Sequence, residues 1–263
     1  MDQIERAWEE FNNKTDIKLI KEKYGKFIKR VLDLLDKGKI RVCEKVEDQW
    51  IVNEYTKKAI LLYFAITKAR VMKFRGMDYF DKVPLKKLDR SYRVVPGAII
   101  RYGSFVGKGV VVMPSFINVG ARVEDNTMVD TWVTVGSCAQ VGKNVHLAGG
   151  VGIGGVLEPP SARPVIIEDD CFIGSRCIIV EGVIVRKGAV LASNVSLTSS
   201  TKIIDINTGE VYVGEVPEGC VVVPGTYLKE VNGNTYGVSA ALIIGKRKKS
   251  TDLKTQLNEI LRI

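Results

Sequence analysis

A six-residue spacing of apolar residues runs through the middle of this 263-residue chain and restricts its fold more than any other feature. Ten apolar residues follow one another at this spacing from Ile99 to Ile153. A second column, four places further on and beginning at Gly103, contains no residue larger than valine. An amphipathic helix would repeat at three and four residues, and a half-buried strand at two. The strict period of six therefore predicts a coil of short parallel strands.

Three hexads would close one triangular turn of the coil, so residues eighteen apart are expected to stack. This register places Ile99, Ile117, Val135 and Ile153 in one interior ladder. Stacked strands would pair their backbones at the usual spacing of about 4.8 Å. The apolar columns would fill the interior, as in other solenoids. The period itself leaves the handedness of the coil open.

The repeat is interrupted once, between Ile153 and Ile167, by a step of fourteen residues. This step equals two hexads plus two residues and includes the proline-rich stretch 157–164. Because proline cannot pair within a sheet interior, we predict a loop extruded from the coil. The series then resumes, and its small column includes Cys171 and Cys177. These cysteines are interpreted as core residues and not as a metal-binding pair.

Helical and strand patterns flank the repeat and indicate three parts. Amphipathic spacing over residues 1–38, with a capping signal at Thr15 and Asp16, predicts helices. A hairpin and a third helix follow, and the C-terminal part is expected to hold a strand and a terminal helix that includes Leu253. The fold class is therefore mainly β. The expected divisions are a mainly helical domain over 1–90, a β-helix over 91–225 and a C-terminal extension over 226–263.

Composition excludes several classes of protein. No run approaches the roughly 18 apolar residues of a membrane helix, and the acidic N-terminus lacks the apolar stretch of a signal peptide. We therefore expect a cytoplasmic protein without a membrane partner. The net charge is +9, but no recognition motif accompanies it, so nucleic acid is not expected as a partner. The single histidine, His146, cannot build a three-histidine zinc site. It is a candidate base, with a structural hydrogen-bonding role as the alternative.

Non-repeating strings are more specific than the repeat. They are YFDKVP at 79–84, YRVVP at 92–96, MVDTWVTVGSCAQVG at 128–142, the glycine-rich stretch 143–158 and VEGVIV at 180–185. They closely resemble the tetrahydrodipicolinate N-succinyltransferase family over nearly the whole chain. This resemblance implies a homotrimer of left-handed parallel β-helices. It also implies succinyl transfer from succinyl-CoA, a co-substrate, to the amino group of ring-opened tetrahydrodipicolinate in lysine and diaminopimelate biosynthesis. No permanently bound cofactor is implied.

The resemblance points to two substrate-binding residues. In that family the arginine of RVVP and the aspartate of VDTW bind the amino-dicarboxylate substrate, and here they are Arg93 and Asp130. An arginine fork can grip a carboxylate at two points. A carboxylate such as Asp130 can orient the attacking amine or accept its proton. A surface ion pair for Arg93 and a turn role for Asp130 are the structural alternatives.

Further site candidates are less direct. The family usually carries an acidic residue where this chain has Ile178, so Glu181 is the fallback catalytic carboxylate. Gly149 and Gly150 would let the pantetheine arm of CoA approach the backbone, although tight corners would explain them equally well. Arg176 is a candidate for binding the CoA phosphates. Other basic candidates for that role are Arg186, Lys187 and residues 246–249.

Two other functions stay open on the sequence. A different hexapeptide acyltransferase, using acetyl-CoA or a sugar-nucleotide acceptor, would share the repeat but not the VDTW and YFDKVP strings. A non-catalytic solenoid that acts as a scaffold would need neither Arg93 nor Asp130.

Overall fold

The computed structural model describes residues 3–74 and 76–248, beginning with a helical part. Its elements are α1 (Gln3–Asn12), α2 (Ile17–Asp36), β1 (Cys43–Val46), β2 (Gln49–Val52), α3 (Glu54–Ile66), β3 (Arg70–Phe74) and β4 (Met77–Asp81). The Asp16 side chain accepts the backbone N–H of Lys18 at 2.8 Å, which confirms the predicted cap of α2. Gly38 has a φ of 67° just beyond the end of α2, a conformation in which glycine avoids the Cβ penalty.

A triangular coil of two-residue strands follows, and each side of the triangle is a parallel sheet. Face 1 contains β5 (Arg93–Val94), β8 (Val111–Val112), β11 (Met128–Val129), β14 (His146–Leu147), β17 (Phe172–Ile173) and β20 (Val190–Leu191). Face 2 contains β6 (Ile99–Ile100), β9 (Phe116–Ile117), β12 (Thr134–Val135), β15 (Gly152–Ile153), β18 (Ile178–Ile179) and β21 (Ser196–Leu197). Face 3 contains β7 (Phe105–Val106), β10 (Arg122–Val123), β13 (Gln140–Val141), β16 (Ile166–Ile167), β19 (Ile184–Val185) and β24 (Glu215–Val216).

The predicted register is wrong by one residue in the first coil. Ile100, and not Ile99, stacks on Ile117. Val106 and Val112 are likewise the interior residues of their strands. Stacked residues are seventeen apart here, because the step from Val112 to Ile117 is five residues instead of six. From Ile117 onward the predicted eighteen-residue stacking is confirmed up to the interruption.

The interruption is an extruded loop, as predicted. Val141 stacks on Ile167 across 26 residues, eight more than a regular coil contains. The loop is fastened to the helical part, because the buried Lys57 donates hydrogen bonds from Nζ to the carbonyl oxygens of Pro159 and Ala162. The interpretation of Cys171 and Cys177 as core residues is confirmed, since both are buried in the coil interior.

The helical part packs on face 3 and on the corner between faces 2 and 3. A Cβ at Gly120, in that corner, would lie 2.8 Å from Cδ1 of Ile60 on α3. Cys138, from the same corner one coil later, is buried in the cluster formed by the helices. On face 3, Glu168 is 8% exposed and accepts hydrogen bonds from Trp50 Nε1 and Lys45 Nζ, both on the β1–β2 hairpin.

Two hairpins close the C-terminal end of the coil. They consist of β22 (Lys202–Asp205), β23 (Val211–Val213), β25 (Cys220–Val231) and β26 (Asn234–Lys246). β25 pairs with β20 and so extends face 1. Because β25 is continuous, the boundary predicted at 225–226 falls inside a strand. The predicted terminal helix with Leu253 lies outside the described residues, and within them no helix is long and apolar enough to cross a membrane.

Candidate active site

The corner between faces 1 and 2, here called the site corner, is a column of turns that stack on one another. Trp132 donates its backbone N–H to Pro114 O at 2.7 Å, and Gly150 donates to Thr131 O at 2.8 Å. One coil further on, Arg176 donates to Gly149 O at 3.1 Å. Trp132, Gly150 and Arg176 all have a φ near 60–70°, the left-handed conformation that closes each turn. The backbone is therefore held rigidly at the place where most of the predicted site residues lie.

Asp130 is half-buried and lies at the start of one of these turns. Its neighbour Val129 points into the core, while Asp130 Oδ1 accepts hydrogen bonds from the Thr131 N–H at 2.6 Å and from Thr131 Oγ1 at 3.2 Å. No hydrogen bond to Oδ2 is present within the part of the chain that the structure describes. One carboxylate oxygen is thus fixed by the turn, and the other can meet a ligand. The turn role and the substrate role are compatible.

Arg93 is exposed on the outer side of face 1, at its first strand. Arg93 pairs with Val111, and Val111 pairs with Met128, so Arg93 lies two strands from the coil of Asp130. At the usual strand spacing this separation is roughly 10 Å along the coil axis. The structure therefore places the arginine and the carboxylate on the same side of the coil, but not in contact.

His146 continues the same outer column of face 1, directly beyond Met128. It is half-buried, and its ring meets Phe172 edge-on with centroids 5.2 Å apart. His146 is one coil further from Arg93 than Met128 is. The imidazole is therefore packed against Phe172 beside the site corner.

The glycines of the site corner make room for side chains of the next coil. A Cβ on Gly150 would lie 2.8 Å from Cδ and Nε of Arg176, so the arginine side chain runs across Gly150. A Cβ on Gly152 would likewise lie 2.7 Å from Cδ1 of Ile178. Gly149 is different, because the nearest atom to its Cβ position, Thr131 O, is 3.6 Å away. Close coil stacking therefore explains Gly150 and Gly152, while at Gly149 a Cβ would make only an ordinary van der Waals contact.

Glu181 lies at the corner between faces 2 and 3, and not at the site corner. Its Oε2 accepts hydrogen bonds from the Ser199 N–H at 3.1 Å and from Ser199 Oγ at 2.6 Å, and these bonds lower the pKa of the carboxyl group. Within one chain the structure does not bring Glu181 and Asp130 together. Ile178, at the position where the family usually has an acid, is 43% exposed on face 2.

Four of the basic candidates for CoA phosphates already have partners in the fold. Lys187 Nζ lies 3.9 Å from Asp170 Oδ2, and Lys246 Nζ donates to Glu218 O at 2.9 Å. Arg186 donates to both carboxylate oxygens of Glu215, at 2.7 and 3.0 Å. Arg247 donates to the carbonyl oxygens of Asp170 and Gly188 and thereby fastens the end of β26 to the coil. Lys249 lies outside the described residues. Arg176 is the candidate that is exposed at the site corner.

Trp132 is a feature of the site corner that the sequence interpretation left without a role. It is 71% exposed and has a φ of 63°, a rare conformation for a bulky residue. The repeat could have marked Trp132 as unusual, because the same turn position holds Gly150 and Asn194 in later coils. A large aromatic ring at a turn position that favours glycine or asparagine presents an exposed apolar surface beside Asp130.

No metal site accompanies these residues in the described ranges 3–74 and 76–248, where no group of three or more His, Cys, Asp or Glu side chains could hold an ion. The chemistry available at the site corner is that of a carboxylate, a guanidinium group, an indole and open backbone.

Known proteins resemble this chain in sequence and in structure. A family model described as tetrahydrodipicolinate N-succinyltransferase N-terminal matches residues 1–66, and a hexapeptide repeat of succinyl-transferase matches residues 164–199. A 2,3,4,5-tetrahydropyridine-2,6-dicarboxylate N-succinyltransferase of Rhodopseudomonas palustris is 52% identical over 249 residues, covering 89% of each chain. The protein of the same name from Acinetobacter baylyi is 50% identical over 243 residues, covering 89% of this chain and 88% of its own.

The fold is shared with a solved structure as well. A candidate 2,3,4,5-tetrahydropyridine-2-carboxylate N-succinyltransferase of Campylobacter jejuni superposes with a TM-score of 0.55 at 17% identity, over 83% of this chain and 62% of that one. The predicted fold class, a mainly β, left-handed parallel β-helix with an N-terminal helical domain, is confirmed. About half of all positions are shared with relatives of nearly equal length, and the chain therefore belongs to the tetrahydrodipicolinate N-succinyltransferase family.

Proposed function

We propose that this chain transfers the succinyl group of succinyl-CoA to the amino group of ring-opened tetrahydrodipicolinate. The products are N-succinyl-2-amino-6-oxopimelate and CoA, in lysine and diaminopimelate biosynthesis. The family membership supports the reaction, and the carboxylate of Asp130 at the site corner carries the structural argument. The amine nitrogen attacks the thioester carbonyl carbon, so a C–N bond forms and the C–S bond breaks. The amine loses a proton, and the sulfur leaves as the thiol of CoA.

Asp130 is the residue that faces the reacting amine. Its Oδ1 is fixed by Thr131, which holds the carboxylate in one orientation. The second oxygen can then accept a hydrogen bond from the amine, align its lone pair with the thioester and take up its proton. Glu181 is the weaker candidate for this role, since it lies at a different corner and is engaged by Ser199.

Arg93 supplies the charge that selects a dicarboxylate substrate. It is exposed on face 1 and lies on the same side of the coil as Asp130. A guanidinium group binds a carboxylate through two parallel hydrogen bonds, which fixes direction as well as distance. Arg93 would hold a carboxylate of the acceptor while Asp130 holds its amine.

The donor would approach along the glycines of the site corner. Gly149 has no side chain to cover the backbone, and Arg176 lies across Gly150 with an exposed guanidinium group. The pantetheine arm can lie along this backbone, and Arg176 can meet a phosphate of the nucleotide end. Backbone N–H groups near the corner are suited to stabilise negative charge that develops on the thioester oxygen.

We propose a homotrimer, as the family resemblance implies, and the outer surface of face 1 offers an apolar surface for contacts between copies. Outer residues of face 1 include Met128 and Phe172, which are only half-buried in one chain. Apolar groups on a flat sheet face are suited to symmetric contacts between copies. Packing a second copy along face 1 would exclude water from the site corner.

The cysteines of the described residues are free and buried, which is typical of the reducing cytoplasm where we expect the protein to act.

Thiol release tests this function directly. The enzyme is incubated with tetrahydrodipicolinate and either succinyl-CoA or acetyl-CoA, and free CoA is titrated over time. We expect turnover with succinyl-CoA and much slower turnover with acetyl-CoA. Absence of turnover with both donors would refute the proposed reaction, and a preference for acetyl-CoA would change the donor.

A matched pair of variants tests the role of Asp130. Asp130→Asn should lower kcat by about 100-fold or more, because general-base assistance typically contributes 10²–10⁴-fold. Asp125→Asn is the control, since Asp125 is also half-buried and its Oδ1 also accepts a turn N–H, from Lys108 at 2.8 Å, but at the corner between faces 3 and 1. Near-normal turnover of Asp130→Asn would remove Asp130 from catalysis.

A further inference from the structure

A concave surface outside the site corner is dominated by positive charge. It lies between α2, the connection from α3 to β3, and the segment around Lys82–Lys87, and its volume is about 940 Å³. Seven Lys and Arg side chains line it, against two Asp side chains. This volume is within the range of small-molecule sites, which run from about 300 to 1,000 Å³. We call this surface the basic groove.

Most of the cations in the basic groove have no hydrogen-bond or ion-pair partner among the described residues. Five exposed side chains make no side-chain hydrogen bond or ion pair to any residue in the ranges 3–74 and 76–248. They are Lys21, Lys37, Lys68, Arg70 and Lys87. They come from three separate segments of the chain and converge on one concavity. Like charges gathered in this way repel one another, and a bound anion would relieve that repulsion.

The two carboxylates of the groove do not offset these cations, because both are already engaged. Asp33 accepts hydrogen bonds from Lys29 Nζ, at 2.8 and 3.0 Å, and from the Tyr102 hydroxyl. Asp36 forms an ion pair with Lys86 at 2.9 Å and accepts the Gly103 N–H at 3.0 Å. The groove therefore presents unpaired positive charge to solvent.

The floor of the basic groove is aromatic. Tyr63 and Tyr102 both line it, are half-buried, and lie with ring centroids 6.2 Å apart. Ring edges and faces that line a groove next to cations are suited to a nucleotide, since its base can contact the rings while its phosphates meet the lysines. A purely inorganic anion would make no use of the rings.

We propose that the basic groove binds an adenine nucleotide carrying at least two phosphate groups. This chemistry has two sources, a free nucleotide such as ADP or the nucleotide end of a CoA molecule. The groove is formed by α2 and by the corner between faces 2 and 3 in the first coil, near Tyr102, whereas the site corner lies between faces 1 and 2. The groove therefore shares no lining residue with those proposed to act in succinyl transfer.

Fluorescence anisotropy with a fluorescent ADP derivative measures the binding. The double variant Lys68→Glu with Arg70→Glu should bind at least about tenfold more weakly, because two charge-assisted contacts are lost and reversed. The control is Lys18→Glu with Lys26→Glu, which changes the net charge equally on exposed parts of α2 outside the groove. Unlabelled ADP and pyrophosphate should displace the probe, and adenosine should do so poorly. Equal binding by the two double variants, or displacement by adenosine as effective as by ADP, would overturn the proposal.

Steady-state kinetics on the same variants separates the two sources. If the groove holds the nucleotide end of CoA, the groove variant raises KM for succinyl-CoA, and ADP competes with succinyl-CoA. If it holds a free nucleotide, KM for succinyl-CoA is unchanged in the groove variant while ADP binding is lost. Either result supports the groove as a nucleotide site. Turnover is measured on the unmodified enzyme. A failure of the proposed succinyl transfer is therefore distinguished from a failure of the groove to bind a nucleotide.

Discussion

Replacement of Lys57 by methionine should destabilise the protein by about 1–2 kcal/mol. Lys57 is fully buried, and its Nζ donates hydrogen bonds to Pro159 O at 3.0 Å and Ala162 O at 2.7 Å. Methionine keeps most of the apolar stem but has no donor. Pro159 O keeps the Ala162 N–H as a donor, whereas Ala162 O loses its donor. An acceptor left without a partner in the fold costs about 1–3 kcal/mol. Part of that total is offset, because burial disfavours the ammonium and lowers the pKa of Lys57.

The neighbouring Lys58 offers a matched control. Its ammonium pairs with Glu5 at 2.9 Å and with Glu54 at 3.6 Å, and both of these carboxylates are partly exposed. Ion pairs of this kind contribute about 0–1 kcal/mol. Lys58→Met therefore removes the same charge from the adjacent position of α3 and should change the free energy of unfolding by less than about 1 kcal/mol.

Urea unfolding of the wild type, Lys57→Met and Lys58→Met at one protein concentration measures the change in the free energy of unfolding. Amide hydrogen exchange shows which part of the chain is affected. Lys57→Met should also speed exchange in the extruded loop 157–164, where the Ala162 N–H donates to Pro159 O. Exchange in the coil interior, such as at Leu147, should change only as much as global stability does. Equal unfolding midpoints for the two variants, or unchanged hydrogen exchange in the loop, would show that the hydrogen bonds of Lys57 do not hold the loop on the helical part.

Two further variants test the site corner and the docking of the hairpin. Gly150→Ala should cost about 1–2 kcal/mol from its left-handed φ of 72° and should displace Arg176, raising KM for succinyl-CoA. Gly149→Ala should be milder, because its Cβ would make only an ordinary van der Waals contact with Thr131 O. Identical urea midpoints for the two variants would show that the side chain of Arg176 does not crowd Gly150. Burial raises the pKa of Glu168, but hydrogen bonds led by that from Trp50 outweigh it, so the pKa lies below 4.5. The stability that Glu168 contributes is therefore present above about pH 4.5 and lost as the pH falls through the lowered pKa. Glu168→Gln should flatten the loss of stability as the pH falls below about 4.5, and an unchanged slope would show that the contacts of Glu168 do not contribute to stability.

The sequence was sufficient for the fold class because the hexad constrains two columns at once. Large apolar residues at one position and small ones four places later leave few solutions other than a tight coil. The extruded loop was equally visible, since a fourteen-residue step with three prolines cannot continue the sheets. Family membership was visible in the non-repeating strings, where Arg93 and Asp130 occur.

The sequence pattern could not determine the register of the first coil, and the reason is physical. The pairs Ile99–Ile100, Phe105–Val106 and Val111–Val112 are apolar at both positions. A shift of one residue therefore keeps an apolar side chain in the interior, and the six-residue pattern cannot distinguish the two registers. Pairing with the next coil decides between them, since Ile100 aligns with Ile117 once the step after Val112 shortens to five.

The partners of charged residues were also decided only by tertiary structure. Lys57, placed in the sequence on an ordinary helix, is buried because α3 packs against the corner from which the loop emerges. Glu181 and Asp130 each follow a similar two-residue strand, yet they lie at different corners, because consecutive strands belong to different faces. The period of six determined by itself that a triangular coil would form. Which residues meet at its corners depends on contacts between segments 18, 26 or about 100 residues apart, and no local pattern encodes those contacts.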